Sequence, residues 1–281
     1  MIASRLLALA CMAGILSLGP AAFAAETSFR DRASTAETVS AENVASDVKA
    51  ELAVGKDVAA RILGRYRLFE NEVLTNYVNL VGQAVAAHAD RPELTYHFAI
   101  LDTDSINAYA APGGYIFVTR GALFNMQDEA ELAAVLAHEV AHVTRKHIVK
   151  ELRIKGTEEN SAQSALTRVL GATGDPTRVA FAQAVDQAVS MLFESGIKQE
   201  DELEADRVGT LILANTGYDA TALRGYVARL QKLQGESMKM MHATHPPFDK
   251  RLAQMDELIA AEKIGATAAP RAKKRFASRV N

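Results

Sequence analysis

The sequence predicts an α+β fold that is mainly helical and carries one small sheet. Three observations lead there. Apolar residues recur at three- and four-residue spacing over most of the chain, which is the helical period. Between residues 94 and 119 the pattern changes to short alternating runs of branched and aromatic residues, the strand period. Pro112-Gly113-Gly114 then marks one tight turn between two of those runs. With 281 residues, 49% hydrophobic and 23% charged, the chain is neither collagenous, low-complexity nor wholly disordered. A net charge of −3 gives no global case for nucleic acid as a partner, and none is expected.

Taken in order, the chain opens on Arg5, the only charge in residues 1–25, followed by an apolar run through Leu18. Gly19-Pro20 breaks that run, and Ala22-Phe23-Ala24 presents small residues where a signal peptidase cuts. Residues 1–24 therefore read as a cleaved secretory signal leading to the periplasm; the alternatives are an uncleaved anchor, or an outer-membrane lipoprotein lipidated at Cys11. Cys11 is the only cysteine, so a metal in the mature chain must be held by His and carboxylates. No later stretch is apolar enough to span a membrane.

Residues 25–42 read as a flexible leader and 43–265 as the folded domain. Val44, Val48 and Leu52 suggest a first helix. A second covers about 70–88, with Val73, Tyr77, Val81 and Val85 on one stripe, ended by Asp90-Arg91-Pro92. Strands follow at Leu94 to Leu101, Ile106 to Ala110 and Tyr115 to Thr119. A helix over about 128–150 starts at Asp128, a side chain suited to capping, with Glu131 three residues on. Further helices are expected near 158–170, 178–194, 199–214, 219–234 and 248–262. Residues 266–281, with Arg271, Lys273, Lys274, Arg275 and Arg279, read as a disordered basic tail able to touch an acidic membrane surface.

The chemistry concentrates at His138-Glu139-Val140-Ala141-His142. Two His four apart on a helix stand one above the other, so both imidazoles can reach one ion. Glu139 is rotated by about 100°, close enough to a metal-activated water to take its proton. A third ligand must come from elsewhere, and residues 200–206 are crowded with acids. Glu202 and Asp206 share a helix face, whereas Glu204 points about 200° away from Glu202. This assigns Glu202 as ligand and Asp206 as orienter of a ligand imidazole, against the alternative of a solvated acidic face at a helix start. His88, His97 and His147 have no partner at ligand spacing and read as ordinary surface or core residues.

The His138 to His142 motif, followed by Glu202-Leu203-Glu204-Ala205-Asp206-Arg207-Val208-Gly209, resembles the zinc metallopeptidases that include HtpX, the CAAX prenyl endopeptidase and mitochondrial Oma. Tyr77 to Gly82, Asn107 to Thr119 and Thr244-His245-Pro246-Pro247 look like the same family, so the resemblance covers about 60–260. In outline the chain is closest to small periplasmic members such as LoiP.

The resemblance implies a zincin-like fold with the sheet beside the active-site helix and one zinc per subunit on His138, His142 and Glu202. Glu139 is then the general base of an endopeptidase acting on misfolded or misassembled envelope proteins. It also implies extended substrate pairing along Asn107, Ala108, Tyr109 and Ala110, against a plain buried hairpin. His245 is implied as a regulatory fourth ligand, against a loop that Pro246-Pro247 merely stops before Asp249 caps a helix. Tyr218 and Arg251 are weaker candidates for stabilising an oxyanion. Two other readings stand beside the enzyme: a chaperone-like binding factor with weak or latent activity, and a metal-stabilised structural domain. The oligomeric state is left open.

Overall fold

The computed structural model describes residues 47–154, 175–265 and 270–280. The expected signal peptide, Cys11, the leader and the helix near 158–170 lie outside these residues. The fold is α+β and mainly helical, as the patterning predicts.

Helix α1 covers 47–65 and buries Ala50, Val54, Val58 and Ile62, while Leu52 turns toward solvent. Helix α2 (Glu72–Ala86) starts where the Asn71 side chain accepts from Leu74 N. Its buried stripe is Leu74, Tyr77, Val78, Val81 and Val85; Val73, expected in that stripe, is exposed. Strands β1 (His97–Leu101), β2 (Ala108–Ala111) and β3 (Tyr115–Thr119) form one sheet of order β1-β3-β2. The central β3 runs parallel to β1 and antiparallel to β2, with Tyr109 opposite Phe117, so β2 is an edge strand. Two α2 side chains, Asn79 and Gln83, donate to the β1-side carbonyls of Phe98 and Tyr96 and tie helix to sheet.

After the short α3 (Arg120–Asn125), α4 (Glu129–Thr144) runs through the middle, and every one of its residues is buried. A helix that is apolar nearly all round can only be an interior helix. The sheet and α2 cover one side; α7 (Gln199–Asn215) and α8 (Ala222–Leu230) cover the other. At its start Asp128 Oδ1 accepts from Glu131 N at 3.0 Å, and the Glu131 carboxylate accepts from Gln127 N at 2.8 Å.

The helix expected to reach about residue 150 instead breaks: Lys146 adopts a left-handed conformation (φ 58°, ψ 38°), and α5 (His147–Glu151) sets off in a new direction. Helix α6 (Asp175–Ser190) continues into a π-helical turn, Met191–Ser195. The short α9 (Lys239–Thr244), not anticipated in the sequence, precedes α10 (Phe248–Glu262). Asp249 lies inside the first turn of α10 and does not cap it; Pro247 holds the cap position.

The basic tail is corrected. Lys273–Val280 forms α11, with Phe276 buried against Tyr77. Arg271 donates to Asp128 at 2.7 Å and to Asp219 at 2.9 Å, and Arg275 holds Glu129 with a bidentate grip. Folded structure thus continues past residue 265, because acids at the buried start of α4 need cationic partners. No described helix is long and apolar enough to cross a membrane.

Candidate metal centre

Helices α4 and α7 cross at the site, and a glycine lets them. A Cβ on Gly209 would stand 2.9 Å from both Cα and N of His138, so only glycine permits this approach. The crossing brings Glu202 and Asp206, one turn apart on α7, to the histidines of α4.

The Nε2 atoms of His138 and His142 are 3.1 Å apart. Glu202 Oε2 is 3.7 Å from the first and Oε1 is 3.5 Å from the second. Zinc bonds of about 2.0–2.1 Å at tetrahedral angles place ligand atoms about 3.4 Å apart. The two imidazoles, with one carboxylate oxygen facing each, are spaced to suit one such ion, and all three side chains are buried. Burial, only partly offset by the Glu202 charge, holds the His142 imidazole well below its ordinary pKa, so it is neutral with a lone pair to offer. Burial works against the Glu202 carboxylate, yet the three surrounding imidazoles, His245 foremost, keep it ionised below its ordinary range. Two neutral imidazoles and a buried carboxylate converging on one point are a donor set for a divalent cation.

Asp206 lies behind His138, its Oδ1 3.0 Å from Nδ1 in a bent contact, and Nδ1 has no other partner among the described residues. The same carboxylate takes two hydrogen bonds from buried Arg251, at 2.8 and 2.7 Å. Burial opposes its charge, but the guanidinium prevails and holds Asp206 down at about 2. Arg251 is thus committed to Asp206. Tyr218, the other oxyanion candidate, donates to Glu129 at 2.6 Å, at the far start of α4.

Glu139 is buried with no hydrogen-bond partner among the described residues. Burial first, then the Glu202 charge, pushes its carboxyl well above the ordinary range. It faces two adjoining cavities. One is lined by Leu223, Tyr226, Val227 and Leu230 of α8, beside His138. The other is lined by Asn107, Ala108, Tyr109 and Ala110 of the edge strand with His142 and Glu202. The hairpin is both buried and an edge, so the two readings of Asn107 to Ala110 are compatible. Its Tyr109 side chain, however, turns to the opposite face of the sheet, tilted against Phe193 and stacked on Tyr66.

His245, at the end of α9, places Nδ1 2.6 Å from Glu202 Oε2 and Nε2 3.3 Å from Asn107 Oδ1. It meets the carboxylate and stands outside the three-residue cluster.

The sequence reading passed over His147. Its Nδ1 lies 2.9 Å from His142 Nδ1, and its Nε2 lies 3.3 Å from Glu204 Oε2. Nothing in the spacing signals this, since it depends on the break at Lys146.

Known proteins agree with the geometry. The model of peptidase family M48 matches residues 72–259. The beta-barrel assembly-enhancing protease of Escherichia coli (strain K12) is 30% identical over 216 residues, 72% of this chain and 42% of that protein. Its Yersinia pestis counterpart is 34% identical over the same length and shares. The mitochondrial metalloendopeptidase OMA1 of Arabidopsis thaliana is 27% identical over 169 residues, 60% of this chain and 33% of that protein. The chain spans less than half the length of these curated relatives. Since the matched region takes in α2, the sheet and the α4–α7 crossing that carries the histidines and Glu202, the chain belongs to peptidase family M48.

Proposed function

We propose that this chain is a zinc-dependent endopeptidase of the periplasm that hydrolyses peptide bonds in misfolded or misassembled envelope proteins. The observation that carries the reading is the buried cluster of His138, His142 and Glu202, whose ligand atoms all lie within 4.8 Å of one another. When bound there, zinc would supply a Lewis acid that lowers the pKa of water and polarises a carbonyl. The remaining work falls to side chains. Glu139, with its carboxylate unengaged, takes the proton from water and returns it to the leaving nitrogen. Asp206, neutralised by Arg251, orients His138. The outer edge of β2, buried at rest, would offer backbone hydrogen bonds to an extended substrate once uncovered, which gives affinity with little sequence preference. The cavity under α8 suits an apolar side chain next to the scissile bond.

Envelope substrates and periplasmic location are supported by the names of the beta-barrel assembly-enhancing relatives and by the signal-like N-terminus. Digestion of casein tests the activity: it should stop with a chelator and with Glu139→Gln, while that variant keeps its zinc. Cleavage at the parental rate by Glu139→Gln would remove Glu139 as base, and chelator-insensitive cleavage would remove the metal.

A latent form is favoured by one contact, the 2.6 Å approach of His245 to Glu202. In that reading the loop covers the cluster at rest and His245 regulates access to the metal. His245→Ala then raises hydrolysis, and an unchanged or lower rate rejects the regulatory role.

A further inference from the structure

Both ring nitrogens of His147 have polar neighbours, and Nε2, besides its nearer partner, also has Asp201 Oδ1 at 3.9 Å. Nδ1 faces His142 Nδ1 at 2.9 Å, with the rings edge to face, and Nε2 faces the Glu204 carboxylate at 3.3 Å. A carboxylate only accepts, so Nε2 of His147 carries the hydrogen directed at Glu204. In a neutral imidazole Nδ1 then holds a lone pair, and the hydrogen between the two rings belongs to His142. Carrying it on Nδ1 leaves His142 Nε2 as a lone pair, turned toward His138 Nε2 and Glu202. One proton pattern satisfies every atom of the chain Glu204, His147, His142.

The backbone is bent to make this possible. In an unbroken helix residues five apart are separated by about 140° around the axis, and the two imidazoles would diverge. Lys146, left-handed at φ 58°, turns the chain so that His147 comes back under His142 and is almost wholly buried there. Such a conformation is costly for a residue with a side chain and persists only where its surroundings impose it.

We propose that His147 is a positioning residue of the metal centre, which fixes the tautomer and orientation of His142 and relays the hold of Glu204 to it. This rests on the reading of His138, His142 and Glu202 as a zinc site. Helix α7 then addresses the centre with three acids, by three routes: Glu202 directly, Asp206 through His138, and Glu204 through His147 and His142. Loss of a hydrogen-bonded support behind a metal-bound histidine lowers metal affinity by about 10- to 100-fold.

Zinc affinity of the full chain, measured by competition with a chromophoric chelator, is the direct test. His147→Ala should weaken zinc by about 10- to 100-fold. His147→Asn, whose Oδ1 can accept where Nδ1 did, should recover most of that loss. Glu204→Gln should fall between. At saturating zinc, His147→Ala should lower kcat with little change in KM. Far-ultraviolet circular dichroism of the metal-free proteins separates lost affinity from lost folding, and if His147→Ala does not fold, the Asn and Gln pair carries the test.

Equal affinity in His147→Ala and the parent, or no recovery in His147→Asn, overturns the relay. A second equivalent of zinc abolished by Asp201→Asn also overturns it, because Nε2 would then serve an ion among His147, Asp201 and Glu204. A parent chain that binds no zinc overturns the metal centre as well, and so marks that failure apart.

Discussion

Replacing Gly209 by alanine isolates the helix crossing on which the metal cluster depends. Alanine is the better helix former by about 1 kcal/mol, so on propensity alone the change should stabilise α7. The added Cβ would meet His138 Cα and N at 2.9 Å and Ala137 C at 3.1 Å. Carbon contacts settle at about 3.5–4.0 Å, so the helices must part by about 0.5–1 Å. These neighbours are backbone atoms of a fully buried helix and cannot swing aside. Overpacking of this kind costs about 1–3 kcal/mol, which leaves a net loss of about 0–2 kcal/mol and a fall in Tm of at most about 8 °C. Metal affinity should suffer more than stability, since metal–ligand distances tolerate only about 0.2 Å. Glu202 is carried on the helix being displaced. Gly225→Ala in α8 is the matched control, because its Cβ meets nothing within 4 Å; it should raise Tm. Melting curves and zinc competition on the two variants give the answer. A Gly209→Ala protein that melts at or above the parent and holds zinc as tightly would refute the close-approach reasoning.

Three other outcomes follow from the same interactions. Asp206 is held at about 2 against an ordinary 3.8, so the native state binds its proton more weakly than the unfolded chain does. Its contribution of about 2 kcal/mol is complete above roughly pH 4 and is lost as pH falls toward 2. Acid unfolding followed by circular dichroism should show that loss, and a double variant Asp206→Asn, Arg251→Met that keeps the same slope between those pH values would count against it. Phe276→Ala should cost about 3–5 kcal/mol, read as a lower urea midpoint, because the ring is buried against Tyr77; no change would mean that α11 contributes nothing to the fold. Arg251→Met alone should destabilise by about 3–5 kcal/mol by leaving Asp206 buried and unpaired, and the double variant should recover part of that loss in the same urea titration.

What could be read from the sequence was whatever depends on local periodicity. The His138 and His142 spacing and the Glu202 and Asp206 spacing are each one helical turn, and a turn has the same geometry in any protein. Val73 and Leu52 were misplaced because a stripe one residue to either side fits the same period, and only packing against the sheet and α4 chooses between them. The second turn of α4, the strands and the capping Asp128 needed no tertiary information.

The tail and His147 were hidden for a different reason. Arg271 and Arg275 look solvated when counted along the chain, because their partners Asp128 and Glu129 lie some 140 residues earlier. A signal was nevertheless present at the other end of those bonds. Glu129 and Glu131, together with Asp128, open a helix that is buried along its whole length, and three buried acids require cations from elsewhere. Glu129 shows the scale of the requirement: two tyrosine hydroxyls, at 2.7 and 2.6 Å, and one arginine converge on it. The same accounting applies to Glu204. Its direction, about 200° away from Glu202 on the α7 wheel, set it aside as a ligand. The break at Lys146 carries His147 around to meet it, so the residue facing away from Glu202 is joined to the histidine cluster through two imidazoles. A helical wheel locates the ligands of such a centre; the groups that orient them answer to where the neighbouring backbone turns.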